Sequence, residues 1–146
     1  MRAFVNINNI AYITLLCVVL CFEWSTQDKM HLHIMGPAVK ELREQAEICS
    51  QQTGVPAANL RKIIDKTLSD ERANKEFFHC VALNTGYIDN NSKFVAAKFI
   101  GLEIKEGTPE AITNTINECN KISLGDNIDT AYAEADCVHD AIHFTA

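Results

Sequence analysis

The 146-residue chain is 47% hydrophobic and carries 13 basic against 19 acidic side chains, a net charge of −6. That length suits one globular domain of ordinary size and leaves no room for two cores. An acidic surface without a cluster of Lys or Arg repels phosphate backbones, which excludes nucleic acid as a partner.

The chain opens on a pattern of export. Arg2 is the only charge before Glu23, and residues 10–22 are apolar apart from Tyr12 and Thr14, which reads as a secretory signal peptide over residues 1–25. The run is too short for a membrane span, which needs ~20 apolar residues. No Ala-x-Ala pattern marks the cut, which is placed between Cys21 and Asp28. The expected product is a single secreted, extracellular domain over residues 26–146. Cleavage removes Arg2 together with Glu23, so the net charge stays at −6. It also removes Cys17 and Cys21 and leaves Cys49, Cys80, Cys119 and Cys137. An even number of cysteines in a small secreted domain favours disulfides over free thiols, and four admit three pairings among which the residues alone do not choose.

Helix signals then recur in chain order, and strand signals do not. Gly36-Pro37 places a proline where a first helical turn accepts one; Val39, Leu42, Ala46 and Cys49 follow at helical spacing until Gly54 stops the run. Pro56 opens a second helix with Leu60, Ile63, Ile64 and Leu68 on its apolar side. Ser69 or Asp70 caps a third, which runs through Phe77, Cys80 and Val81 to Gly86. A short apolar fourth spans about Ser92 to Ile100, with Gly101 ending it. Thr108-Pro109-Glu110 is a strong start signal: a capping hydroxyl, a proline in the first turn, and a carboxylate beside the positive end of the helix dipole. That fifth helix carries Ile112, Ile116 and Cys119. Asp126 or Asn127 caps a sixth, which holds Tyr132, Cys137, Val138 and Ile142 and runs to the end of the chain. The expected fold class is all-α, a compact bundle of about six short helices. Helices this short are marginal in isolation, so packing and covalent staples must hold them.

No reactive constellation stands out. His139 and His143 share the i, i+4 spacing of a zinc-protease helix, but Asp140 stands where the general base is needed and no third ligand is signalled, so they read as solvated histidines at a helix end. The stretch from Asp89 to Ile100 starts like a calcium loop but lacks Gly at its sixth position and Glu at its twelfth. His79 adjoins Cys80, yet neighbours on a helix point different ways. The sequence therefore predicts no enzyme, no metal and no cofactor. Asn90-Asn91-Ser92 is a glycosylation sequon of a kind more often unused.

The cysteine spacing resembles that of insect odorant-binding proteins, the pheromone and general odorant-binding class, which have six cysteines with three residues between the second and third and eight between the fifth and sixth. With Cys80 in the third slot, Val81 and Thr85-Gly86-Tyr87-Ile88-Asp89 match what usually follows it. The register becomes Cys49, 26 residues, Glu76, 3 residues, Cys80, 38 residues, Cys119, 8 residues, Ile128, 8 residues, Cys137. The two absent cysteines are partners in the family's pattern, as in its four-cysteine "minus-C" members. The resemblance implies the pairings Cys49–Cys80 and Cys119–Cys137, around an apolar cavity. It leaves Ile128 to bury apolar area where a bridge is missing, and Glu76 either facing solvent, the preferred reading, or paired with a cation.

It also implies a function: non-covalent carriage of a small hydrophobic ligand, such as an odorant, pheromone or related semiochemical, with release at an olfactory receptor or membrane surface, by a monomer or weak homodimer. The expected lining is Phe94, Val95, Phe99, Ile116, Tyr132 and Val138, joined by Leu42, Ile63 and Phe77. Tyr132 either orients a ligand through its hydroxyl or serves as a core tyrosine bonded to a backbone carbonyl. Titration of His139 and His143 offers a route to acid-triggered release. The alternatives are a carrier of hormones or lipids on the same fold, and a cytokine-like interaction protein with a filled core.

Overall fold

A computed structural model describes residues 29–146. The expected leader over residues 1–25, with Cys17 and Cys21, lies outside them. Six helices appear among these residues near where start and stop signals place them, with shorter spans in three cases, and the third begins after Glu71, without a side-chain cap, rather than at Ser69 or Asp70.

Helix α1, Gly36–Thr53, begins with a proline in its first turn and stops at Gly54, whose φ of 74° allows its N–H to reach the Ser50 carbonyl. It buries Leu42, Ala46 and Cys49 on one stripe. A 3-10 turn, Ala57–Asn59, leads into α2, Leu60–Ile64. The expected continuation to Leu68 fails because the chain turns at Lys66, at a φ of 54°, and the Thr67 and Leu68 N–H groups fold back onto the Lys62 carbonyl. Helix α3, Arg72–Asn84, turns Phe77, Phe78, Val81 and Ala82 inward.

Helix α4 covers only Ala96–Ile100. The residues expected to form its first turn are held out of the helix by tertiary bonds instead, with Ser92 at a φ of 61° and Val95 extended. Both amide atoms of Asn120 bond the Phe94 backbone at 2.9 Å, Ile88 bridges Phe94, and the Ser92 hydroxyl bonds the His79 ring at 2.8 Å. Lys93 reaches the Ile122 carbonyl at 2.7 Å and the fully buried Glu134 carboxylate, whose other oxygen has no partner among the described residues. Burial pushes the Glu134 carboxyl upward, against the pull of Lys93. These anchors outweigh the helical preference of a four-residue stretch.

Helix α5, Pro109–Cys119, starts as its sequence requires, with the Thr108 hydroxyl accepting from the Ala111 N–H at 3.1 Å. Helix α6, Asn127–Ala141, is capped by Asp126, whose carboxylate accepts from the Ile128 and Asp129 N–H groups at 2.9 Å. Its expected run to the chain end is corrected: at Ile142 the backbone becomes extended.

The sequence also gave no warning of a small sheet of order β2-β1-β3, in which β1 is Met30–His33, β2 Glu103–Glu106 and β3 Ile142–Thr145. β1 pairs antiparallel with β2 and parallel with β3, with Leu32 opposite both Ile104 and Phe144. Four-residue strands give little period-2 signal, and partners from opposite ends of the domain give no local one. Alternation in β3 puts Ile142 and Phe144 inside and His143 and Thr145 outside.

Two disulfides staple the helices. Cys49–Cys80 joins α1 to α3 with Cα atoms 5.9 Å apart, and Cys119–Cys137 joins α5 to α6 at 5.7 Å. The slots of the missing bridge lie on α3 and at the start of α6. There Arg72 bonds Glu76 at 2.9 Å and Asp126 at 3.2 Å, and Lys75 bonds Asp129 at 3.0 Å. Glu76 thus has both fates weighed for it, being half-exposed and paired with a cation, and Ile128 is half-buried. An ionic seam joins the two helices that carry the slots left without cysteine in the register that the resemblance implies.

Candidate ligand cavity

The apolar faces of the helices do not close completely. A cavity of about 90 Å³ remains where α1, α2, α3, α4, α6 and β3 converge. Residues one helical turn apart share a face, so α3 presents Phe78, Val81 and Ala82 to it, and α6 presents Ala135, Val138 and His139. α1 contributes Leu42 and α2 contributes Leu60, Ile63 and Ile64. The aromatic wall is centred on Phe99 of α4, with ring centroids 5.2 Å from Tyr87, 5.5 Å from Phe94 and 6.1 Å from Phe144. Phe94 is aimed by the Asn120 clamp, while Ile34 and Phe144 are brought by the sheet.

Such walls offer water almost nothing to bond. The volume is below the ~150 Å³ of an apolar cavity known to hold benzene, so any longer occupant must move wall side chains. Two wall residues carry polar tips. Burial, with Glu41 adding to it, pushes the Tyr87 hydroxyl up to about 12. Burial chiefly, aided by Lys66 and His143 and opposed by Asp136 and Asp140, lowers His139 below the ordinary histidine value. Its imidazole is therefore neutral at neutral pH.

A second cavity, about 20 Å³, shares Ile63, Phe78, Ala135 and His139 with the first, and Lys62, Lys66, Leu68, Tyr132 and Asp136 complete its wall. The two voids differ in lining, the first mostly hydrocarbon and the second with charged residues among its wall.

Of the nine residues expected to line a cavity, the structure brings Phe94, Phe99, Val138, Leu42 and Ile63 to the larger one. Tyr132 faces the smaller, and its hydroxyl donates to the Leu68 carbonyl at 2.9 Å, the core-tyrosine arrangement. Phe77 and Ile116 are fully buried in the core, away from the cavity wall, and Val95 is half-buried just before α4. The reading of His139 and His143 as solvated helix-end residues is corrected for the burial of His139 and for the placement of His143, which is exposed as expected but lies on a strand. His139 is half-buried in both cavity walls with its ring 5.1 Å from Phe144, while His143 sits on β3 facing His31 at 5.1 Å. Sequence reasoning missed Phe144 and Ile34 because they depend on the sheet. It missed Phe78 because one of two adjacent phenylalanines was chosen, although both are buried. Among the described residues no group of three or more His, Cys, Asp or Glu could hold a metal ion, and no helix is long and apolar enough to cross a membrane.

The model of the PBP/GOBP family matches residues 33–141. The chain belongs to this family. Its two disulfides among the described residues fit the minus-C type, and membership makes it, by class, a carrier of small ligands. PBP/GOBP-type folds are found among similar solved structures. Odorant-binding protein OBP28a of Drosophila melanogaster is 24% identical with a TM-score of 0.55, over 72% of this chain and 92% of that one. Odorant Binding Protein 7 of Anopheles gambiae, solved with four disulfide bridges in complex with an azo compound, is 24% identical with a TM-score of 0.57, over 74% and 88%. The fatty acid binding protein OBP56a from the oral disk of the blowfly Phormia regina is 19% identical with a TM-score of 0.60, over 76% and 96%. At these identities the likeness is one of fold. No curated protein matches the chain.

Proposed function

We propose that this PBP/GOBP member is a secreted carrier that takes small hydrophobic molecules, odorants, pheromones or related semiochemicals, into its central cavity and moves them through aqueous fluid. The observation that carries this reading is an apolar cavity left open inside an otherwise close-packed core, where side chains normally leave few voids larger than water. Leu42, Ile63, Phe94, Phe99 and Val138 are its proposed ligand contacts, together with Phe78 and Phe144. Binding is non-covalent, driven by transfer of the ligand's apolar surface at ~25 cal/mol per Å² and directed by the few polar tips in the wall. One of the similar folds is solved in complex with an azo compound and another is named a fatty acid binding protein, which supports a small-molecule cargo here.

The test is displacement of a fluorescent apolar probe by volatile alcohols, esters and fatty acids on disulfide-intact protein. Saturable one-to-one binding is expected. A folded sample that binds neither the probe nor any competitor rules the carrier out.

A further inference from the structure

The wall of the larger cavity is held unevenly. Residues 57–68 supply Leu60, Ile63 and Ile64 to it from a 3-10 turn and a helix of five residues, and of these three side chains only Leu60 is buried. On the other side of the cavity α3 turns Phe77, Phe78, Val81 and Ala82 inward. A helix as short as α2 does not hold itself in water, so its ties to the rest of the fold decide how readily it lifts.

The polar ties are few and all reach one helix. Among the described residues the backbone bonds of this segment close within it or onto Pro56, and Arg61 pairs with Asp65 of the same segment. Outward, Lys66 bonds Asp140 at 2.6 Å and reaches the Asp136 carbonyl at 3.5 Å and its carboxylate at 3.9 Å, while the Leu68 carbonyl accepts from the Tyr132 hydroxyl at 2.9 Å. Asp136, Asp140 and Tyr132 all belong to α6. The Lys66–Asp140 pair is exposed on both sides, where an ion pair adds little. Two further features weaken the same seam. Lys66 holds a left-handed φ of 54°, which is unfavourable for a residue with a side chain. The void of about 20 Å³ has this segment on one side and only α3 and α6 on the other, so close-packed contacts are missing between them. The two ends are firmer: Val55 is buried, and Asn74 donates to the Ser69 hydroxyl at 2.7 Å. A strap fixed at its ends and weakly held between them opens as a local unit.

We propose that residues 57–68 are the door by which a ligand enters and leaves the cavity, with Lys66–Asp140 and Tyr132–Leu68 as its latches. This rests on the carrier reading and adds the route to it.

Stopped-flow binding and release of 1-N-phenylnaphthylamine tests the door in Asp140→Asn, Tyr132→Phe and the double variant. Neither side chain borders the larger cavity. The latches hold the closed door with or without ligand, so association and dissociation rates should rise together, about tenfold in the double variant, while Kd stays within about twofold. In the unaltered protein, amide exchange at residues 65–68 should run ahead of that at residues 77–82 and should slow when the probe is bound. Unchanged rates in the double variant, or exchange at 65–68 as slow as at 77–82, overturn the door and leave the carrier standing. A folded protein to which the probe does not bind at all removes both.

Discussion

Ala135 on α6 is 8% exposed and faces both cavities, so the space beside it can be filled from the protein's own side. Ala135→Leu adds three carbons. At ~0.8 kcal/mol per buried CH₂ they contribute about 2.4 kcal/mol of apolar transfer. Ordering the leucine takes back 0.5–1 kcal/mol. The variant should therefore be more stable by about 1.5 kcal/mol, raising Tm by about 5 °C for a domain of this size. A ligand loses the same room, so its affinity should fall by about 2.4 kcal/mol, roughly 60-fold in Kd. Thermal unfolding by circular dichroism and probe titration on one preparation read both quantities. A raised Tm with Kd within twofold of the original refutes the argument, because it would mean that ligands bind somewhere other than the space now filled. Phe99→Ala supplies the opposite sign: a loss of about 3–5 kcal/mol from the emptied aromatic wall, with relatively better binding of bulkier competitors.

Three further outcomes follow from the same structure. Replacing both cysteines of Cys119–Cys137, which are 18 residues apart, should lower stability by about 3.2 kcal/mol, and replacing Cys49–Cys80, 31 apart, by about 3.7 kcal/mol; urea midpoints falling in the reverse order would contradict the loop-length argument. Asn120→Ala removes both clamps on the Phe94 backbone, and should cost about 2–4 kcal/mol and speed amide exchange across residues 88–95; unchanged exchange would show that the segment is held by other means. Burial lowers His139 and His79 below the value they have in the unfolded chain, so the unfolded state takes up protons first and stability falls as pH drops from the ordinary histidine value towards the depressed ones. Glu134, raised by burial, acts with the opposite sign, favouring the fold in acid and losing that contribution as pH rises through its folded pKa. His139→Phe should therefore lose less Tm than the unaltered protein as pH drops below the ordinary histidine value; equal slopes in the two proteins would exclude His139 as a contributor.

The local signals in this chain were those of helix ends. Pro37 with Gly54, Thr108 with Pro109, and Asp126 act on the backbone within a turn of where they stand, so α1, α5 and the start of α6 were legible from the residues alone. The cysteine register went further, because its intervals carry a family's topology and so implied both crosslinks before any distance was known. Packing decided the rest. Residues 92–95 gave up a helical turn to anchors from α3, α5 and α6, and Ile142–Thr145 left the helix to pair with a strand from the other end of the domain. Through that pairing Phe144 closes one side of the cavity, and the strand's departure from α6 separates His139, in the wall, from His143, on the exposed face. The sequence by itself determined where helices start and stop at strong caps, because capping acts within one turn, and through the family resemblance it implied which cysteines join. Which side chains border the empty space was set by the tertiary structure, since a cavity is what the packing of distant segments fails to fill.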